Sequence, residues 1–281
     1  MAHIKRSQVS AMGIHYLMYP LDYLLDGHAE AGYEVIELVG QAPHFNMDFD
    51  WNQNPEEVRK MAEDRGLRIA LFTPECSCFQ WKNNYADEAA HKKSMEYLKR
   101  GMDVCRRMGA NMMLTNACGD TMDEAHDVIY DRAIRHFTEI AGYAQEAGVT
   151  VALEAVRPQE ARTCITLDES AGLVEAVDNP YLGAALDTVA MGVQGETPRQ
   201  WFERLGDKIV HCHFVDGRPY AHLAWGEGLF PLERYINVLN EFGYEGLLSQ
   251  ELTDDRYYDD PKAADKANFA ALSKYFVDEE A

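Results

Sequence analysis

Four side chains that can bind a metal or transfer a proton end four consecutive apolar runs in the second half of the chain. The runs are "TVALEAV", "YLGAALDT", "KIVHCHFVD" and "GLLSQEL", and the side chains are Glu154, Asp187, His213 and Glu251. Each run has the length and aliphatic content of a buried strand. If the strand ends meet, three carboxylates without a counter-charge would repel one another in a low-dielectric site. The pattern therefore predicts a divalent metal ion held by one nitrogen and three oxygens.

The predicted donor set also indicates which metal and which histidine take part. A set of three oxygens and one imidazole is harder than a structural zinc site, so it favours Mn²⁺, with Mg²⁺, Co²⁺, Fe²⁺ and Zn²⁺ as alternatives. His211 precedes His213 by two residues, and side chains two apart on a strand share a face. Because His211 lies deeper in the sheet, we expect it to support the site through a hydrogen bond rather than as a ligand.

The elements that must position these residues repeat along the whole chain. Apolar runs alternate with helix-period stretches, and several of these stretches stop at a glycine, as at Gly32 and Gly148; Thr197 and Pro198 carry the signal of a helix start. Eight such units in 281 residues predict a (β/α)8 TIM barrel, whose active site lies at the C-terminal ends of its strands. The eight predicted strands cover residues 11–18, 34–40, 68–75, 111–119, 150–156, 181–188, 208–216 and 246–252.

Two alternatives to one closed barrel are disfavoured by the sequence. An open, doubly wound sheet would carry a glycine-rich phosphate turn after its first strand, and "MYPLDYLLDG" has none. No linker or low-complexity segment divides the chain, so residues 1–281 are interpreted as a single domain.

Composition and charge indicate which kinds of partner are disfavoured. The formal net charge is −21, from 26 basic and 47 acidic residues, which disfavours nucleic acids and anionic membranes. No segment approaches the roughly 20 apolar residues of a membrane span, and the N-terminus lacks the apolar run of a signal peptide. The six scattered cysteines form no C-x-x-C pair, so free thiols are expected. We therefore expect a cytoplasmic protein that acts on a small molecule.

Several stretches resemble one family. "LEAVRPQE", "ALDT", "HCHFVDG", "WGEGLFPL" and "SQEL" resemble the second-half motifs of the xylose-isomerase-like sugar epimerase/isomerase superfamily. "GYEVIELVGQAPHF" and "LFTPECSCF" resemble the first half of its ketose 3-epimerases, those acting on fructoselysine in particular. The resemblance implies that Glu154, Asp187, His213 and Glu251 are the metal ligands and that the two glutamates are also the acid/base pair.

The resemblance implies a metal-dependent epimerase that inverts C3 of a ketose or ketose conjugate of the fructoselysine type. The metal would stabilise the enediolate as a Lewis acid. Inversion needs two bases on opposite sides of the carbon, and the predicted strands five and eight supply Glu154 and Glu251 at separate points of the rim. A positioned acid or base contributes about 10²–10⁴-fold to the rate.

Other residues are candidates for contact with the sugar. By resemblance, Glu160 corresponds to a substrate-binding carboxylate and Arg218 approximately to an arginine of the tagatose-type epimerases. A histidine of that pattern is replaced by Ala190. Three further residues are candidates for sugar contact, each with a purely structural alternative. Trp225 could instead be a packed aromatic, and Glu75 and His44 could instead cap loops. Arg157 would hold Glu154 or Glu160, or form a surface ion pair.

Alternatives to C3 epimerisation remain open. The same metal and bases suit an inosose isomerase or dehydratase, a hydroxypyruvate isomerase or an enzyme that cleaves 3-keto glycosides, because each reaction begins with proton loss beside a carbonyl. A catalytically silent sugar-binding barrel is a further alternative, whereas a DNA-repair barrel of this superfamily is opposed by the acidic charge. The aromatic stretch "DDRYYDD" allows either contact with a neighbouring subunit in a homo-oligomer or a solvated loop.

Overall fold

Eight parallel strands close into a barrel in the computed structural model, which describes residues 2–47, 53–75 and 83–277. Each strand pairs with its neighbours along the chain, and the last strand pairs with both the first and the seventh. The predicted TIM barrel is thereby confirmed. The barrel strands are β1 (Val9–Met12), β2 (Val35–Gly40), β3 (Arg68–Pro74), β4 (Met112–Asn116), β5 (Thr150–Glu154), β6 (Leu182–Asp187), β7 (Ile209–His213) and β8 (Leu248–Glu251).

Helices follow the strands and cover the outside of the barrel. Thr197 caps the helix that begins at Pro198, as predicted, and forms a capping box with Gln200. Gly32 and Gly148 follow helix ends with positive φ angles of 106° and 67°, the left-handed conformation that glycine adopts without steric cost. The helices are α1 (Leu21–Ala31), α2 (Pro55–Glu63), α3 (Glu88–Arg107), α4 (His126–Ala147), α5 (Leu167–Val177), α6 (Thr188–Val193), α7 (Pro198–Leu205), α8 (Leu232–Glu241) and α9 (Pro261–Leu272). None of these described helices is both long and apolar enough to span a bilayer.

The first strand differs from its prediction. We predicted residues 11–18, whereas β1 ends at Met12 and Ile14–Tyr16 form a 3₁₀ turn. His15 and Tyr16 both reach the carboxylate of Asp265 on α9, through contacts of 3.0 and 2.8 Å. Adjacent side chains of a strand point to opposite faces, so a strand could not bring both to one carboxylate.

A short β-hairpin extends the barrel mouth after β7. Its strands, Asp216–Arg218 and Ala221–Leu223, pair antiparallel with His222 opposite Gly217. We call this element the β7 hairpin. The free-thiol prediction holds for Cys105, Cys164 and Cys212, whereas residues 76–79 of the family-like stretch lie outside the described residues.

Candidate metal centre and active site

The four predicted ligands are the last residues of β5, β6, β7 and β8. Nδ1 of His213 lies 2.7 Å from Oε1 of Glu154, 3.1 Å from Oε2 of Glu251 and 3.8 Å from Oδ2 of Asp187. One potential ligand atom from each of the four residues lies within 4.8 Å of the others. The structure thus brings all four to a common point at the C-terminal mouth of the barrel.

The donor atoms fit a divalent cation. Nδ1 of His213 is buried and faces carboxylate oxygens of Glu154, Asp187 and Glu251. Oδ1 of Asp187 accepts a hydrogen bond from the backbone N–H of Ala190, which leaves Oδ2 facing His213. An imidazole nitrogen among three carboxylates is a set that Mn²⁺ and similar ions bind.

The charges of this cluster are strongly coupled. Burial raises the pKa of Glu154 to about 7, although the adjacent His213 opposes the shift. Burial disfavours the charged imidazole of His213, but the surrounding carboxylates outweigh it and raise the pKa well above its usual value. Burial likewise opposes the charge on Asp187, yet His222 and His213 outweigh it and lower the carboxyl pKa. A divalent cation would supply the positive charge that protons otherwise supply here.

Glu37, on β2, is a buried carboxylate that the sequence analysis did not identify. Its Oε2 lies 3.0 Å from Nε2 of His211, and its Oε1 lies 3.2 Å from Nε2 of His213 and accepts a hydrogen bond from Thr73. Burial raises the pKa of Glu37, but His213 and His211 outweigh burial and hold it well below its usual range. Glu37 thus binds the two histidines that share one face of β7. A charged residue within the apolar run "VIELVG" was the signal that could have identified it.

His222 is a second residue that the sequence analysis did not identify. Its Nε2 lies 2.9 Å from Oδ2 of Asp187 and 3.4 Å from Oε2 of Glu251. The imidazole comes from the β7 hairpin rather than from a barrel strand. The alternation of side chains along a barrel strand therefore does not predict where it points.

Glu160 and Arg157 lie beside the cluster as an ion pair. Nε and Nη2 of Arg157 donate to the two carboxylate oxygens of Glu160, and Nη1 donates to the backbone carbonyl of Tyr220. The pairing keeps the pKa of Arg157 above its ordinary value. Of the two roles weighed for Arg157, the structure shows contact with Glu160.

Of the remaining candidates for sugar contact, some lie beside the cluster and others lie away from it. Glu75 directly follows β3 and lines the cavity that contains His213. His44 is buried, donates to the carbonyls of Tyr16 and Tyr19, and has its pKa lowered to about 4 by burial. It therefore fixes the loop after β1. His44 is not among the described residues that line the cavities beside the cluster.

Trp225 and Arg218 are also not brought to the cluster. Trp225 is 4% exposed, packs against Phe214 and donates its indole N–H to the Phe214 carbonyl. Arg218 is exposed and lines a separate, mainly apolar cavity with Val189 and Phe230. The packed-aromatic alternative for Trp225 matches its described contacts.

Two cavities adjoin the cluster, and Glu154 and Glu251 line both. The first cavity is bounded in addition by Arg157, Glu160, Asp187, Ala190 and His222. The second is bounded in addition by Met12, Gln41, Thr73, Glu75, Asn116 and His213. The two glutamates therefore border both spaces.

Comparison with known proteins identifies the family. The chain is 28% identical to fructoselysine 3-epimerase of Escherichia coli O157:H7 over 86% of this chain and 89% of that one. It is 25% identical to inosose isomerase of Bacillus velezensis over 70% and 74% of the two chains. The structure of D-psicose 3-epimerase from Clostridium cellulolyticum H10 superposes with a TM-score of 0.79 at 16% identity, covering 95% and 98%, a likeness that shows the fold alone. The family model described as xylose isomerase-like TIM barrel matches residues 25–275, and the chain belongs to that family.

Proposed function

We propose that this protein is a metal-dependent epimerase that inverts C3 of a ketose or a ketose conjugate such as fructoselysine. The convergence of Glu154, Asp187, His213 and Glu251 at the ends of four consecutive strands carries the proposal. These four residues would hold one divalent cation, with Mn²⁺ favoured. When bound, the cation supplies Lewis-acid stabilisation of negative charge on substrate oxygens. The similarity to fructoselysine 3-epimerase supports the choice of reaction.

The two glutamates are suited to the proton transfers. Glu154 ends β5 and Glu251 ends β8, so β6 and β7 lie between them around the rim. Inversion requires one side chain to remove a proton from the carbon and another to return a proton on the opposite face. A carboxylate beside the reacting carbon would accept a proton from one face or return a proton to the other. We assign Glu154 and Glu251 as this pair, with no order of action between them.

The surrounding residues would orient the sugar. Glu160, held by Arg157, and Glu75 line the two cavities, where their carboxylates can accept hydrogen bonds from sugar hydroxyls. We further infer that residues 1–281 act as one barrel domain on a small sugar in the cytoplasm. The charge of −21 supports the absence of a nucleic-acid partner.

An isomerase or dehydratase acting on a keto-inositol is the second candidate. The similarity to inosose isomerase supports it, and the same metal and two carboxylates would serve, because that reaction also begins with proton loss beside a carbonyl. The two candidates differ in the shape of the substrate rather than in the first chemical step.

A substrate panel with metal reconstitution tests the proposal. Protein stripped with a chelator and reloaded with Mn²⁺, Mg²⁺ or Co²⁺ would be incubated with fructoselysine, D-fructose, D-psicose and keto-inositols in D₂O. We expect C3 epimers of a ketose or its conjugate, with solvent deuterium at C3. Turnover of keto-inositols alone would favour the second candidate, and no turnover with any metal would refute both.

A further inference from the structure

One imidazole at the candidate site belongs neither to the proposed ligands nor to the acid/base pair. His222 is 4% exposed and lines the first cavity, together with Glu154, Asp187 and Glu251. Its Nε2 is within 3.4 Å of carboxylate oxygens of both Asp187 and Glu251. Packing alone does not explain why this imidazole lies between two carboxylates of the cluster.

The β7 hairpin holds this imidazole in a fixed place. The carboxylate of Asp216 accepts four backbone N–H groups, those of Gly217, Gly226, Gly228 and Phe230, at 2.7 to 2.9 Å. The backbone carbonyl of His222 accepts from the N–H of Thr253, just after β8. A side chain on so constrained a backbone is pre-organised, as binding sites require.

His222 is one of two side-chain N–H donors among the described residues of this cavity, and its Nε2 faces Asp187 and Glu251, two of the proposed ligands. The other donor is Arg157. Arg157 is engaged with Glu160 and the Tyr220 carbonyl. The wall formed by α6 offers only the methyl group of Ala190. A sugar carries many oxygen acceptors, and a cavity lined by carboxylates needs a donor to select among them.

We propose that His222 is a substrate-binding residue that determines specificity by donating its Nε2–H to an oxygen of the bound keto sugar. This inference rests on the proposed function. The hydrogen bond now made to Asp187 would orient the ring toward the cavity, and a substrate oxygen beside Asp187 and Glu251 would meet the same N–H. The ligand class is a polyhydroxylated ketose with a free oxygen next to the reacting carbon.

The variants His222→Ala and His222→Gln test this role. For the alanine variant we expect kcat/KM to fall about 10- to 100-fold, mostly through KM, as for loss of one buried hydrogen bond. Glutamine keeps an N–H donor and should recover part of the loss. The Mn²⁺ affinity, measured by calorimetry, is expected to fall by up to about 10- to 100-fold, because His222 also contacts the proposed ligand Asp187. The values of kcat/KM are therefore compared at Mn²⁺ concentrations that saturate both proteins. Wild-type kcat/KM in the alanine variant, or a loss of Mn²⁺ that accounts for the loss of activity, would overturn the proposal.

Binding of a hexitol separates this inference from the proposed function. Calorimetry would compare D-mannitol binding to Mn²⁺-loaded wild type and His222→Ala, independently of turnover. If no panel substrate reacts but the alanine variant binds the hexitol about 10-fold more weakly, the proposed function fails and the role of His222 stands. Equal binding by the two proteins, or none by the wild type, would overturn the role of His222.

Discussion

Oε1 of Glu37 lies 3.2 Å from Nε2 of His213, while the other ring nitrogen, Nδ1, faces the three carboxylates. A carboxylate on Nε2 favours a proton on that nitrogen, so in the neutral ring Nδ1 carries the lone pair that a cation can bind. Such a partner fixes both the tautomer and the orientation of a metal-binding histidine. Glu37 also binds His211, which makes one buried carboxylate the common anchor of both imidazoles of β7.

Replacing Glu37 by glutamine should weaken metal binding about 10- to 100-fold, as loss of such an anchor typically does. The amide can no longer accept two imidazole N–H groups with a full negative charge. Titration calorimetry with Mn²⁺ measures the effect. Glu34→Gln is the matched control, because Glu34 precedes β2 but is exposed and paired with Arg6. An affinity equal to that of the wild type would show that His213 is oriented without Glu37.

Glu154→Gln and Glu251→Gln should each lower turnover by at least about 10²-fold, because each removes a group that exchanges a proton with the substrate. Both residues are at strand ends, so the circular dichroism spectrum should be unchanged. Deuterium incorporation at C3 and epimer formation provide the readout. Glu146→Gln, an exposed change on α4, should behave as the wild type. A variant that retains most activity would remove its glutamate from the acid/base pair.

The barrel and the four converging side chains were predictable because each follows from a regular period. Alternating strands and helices fix which ends of the strands meet, and a residue that ends a strand is placed at the mouth by topology alone. Glu37 and His222 were not predicted for different reasons. Glu37 sits within an apolar strand, where its partner is visible only after β2 and β7 face each other across the barrel interior. His222 depends on an irregular hairpin, whose side-chain directions no period sets.

Side-chain positions in the loops were also not predictable from the sequence, as Trp225 and Arg218 show. The family resemblance suggested Arg218 as a sugar contact, and its place after the seventh strand suggested Trp225. In the structure Trp225 packs on Phe214 and Arg218 lines another cavity. The path of a loop depends on its anchors, here the Asp216 carboxylate and the Asn268 side chain that holds the backbone of Trp225. Neither of these two contacts can be predicted from the residues that neighbour Trp225 or Arg218 in the sequence.

Removing the metal should abolish activity, and metal affinity should fall as the pH is lowered through 7. Glu154 has a pKa of about 7 without metal, so a proton competes with the cation below that pH. A proton on His213, whose pKa is raised, adds to the competition. Chelation followed by Mn²⁺ titration at pH 6, 7 and 8 measures both effects. Affinity that does not change over this range would contradict the assignment of Glu154 as a ligand.

Asp265→Asn should destabilise the barrel by about 3 kcal/mol, because hydrogen bonds to a buried charged carboxylate are among the stronger ones and the amide replaces that charge. Asp265 is 1% exposed and contacts His15, Tyr16 and His28, joining α9 to α1 and to the turn after β1. Burial raises its pKa, but His28 and His15 outweigh burial and lower it well below the usual value. Because the folded-state pKa is lowered, the contribution is present above the unfolded value of about 3.9 and is lost as the pH falls below it.

Chemical denaturation of wild type and Asp265→Asn at pH 7 and pH 3 measures this contribution. The difference in unfolding free energy should be large at pH 7 and smaller at pH 3, where part of the wild-type contribution is already lost. Asp64→Asn is the control, since Asp64 forms an exposed ion pair with Lys60, and such pairs contribute about 0–1 kcal/mol. An equal difference at both pH values would mean that the charge of Asp265 does not stabilise the fold and that its neighbours need only a hydrogen-bond acceptor.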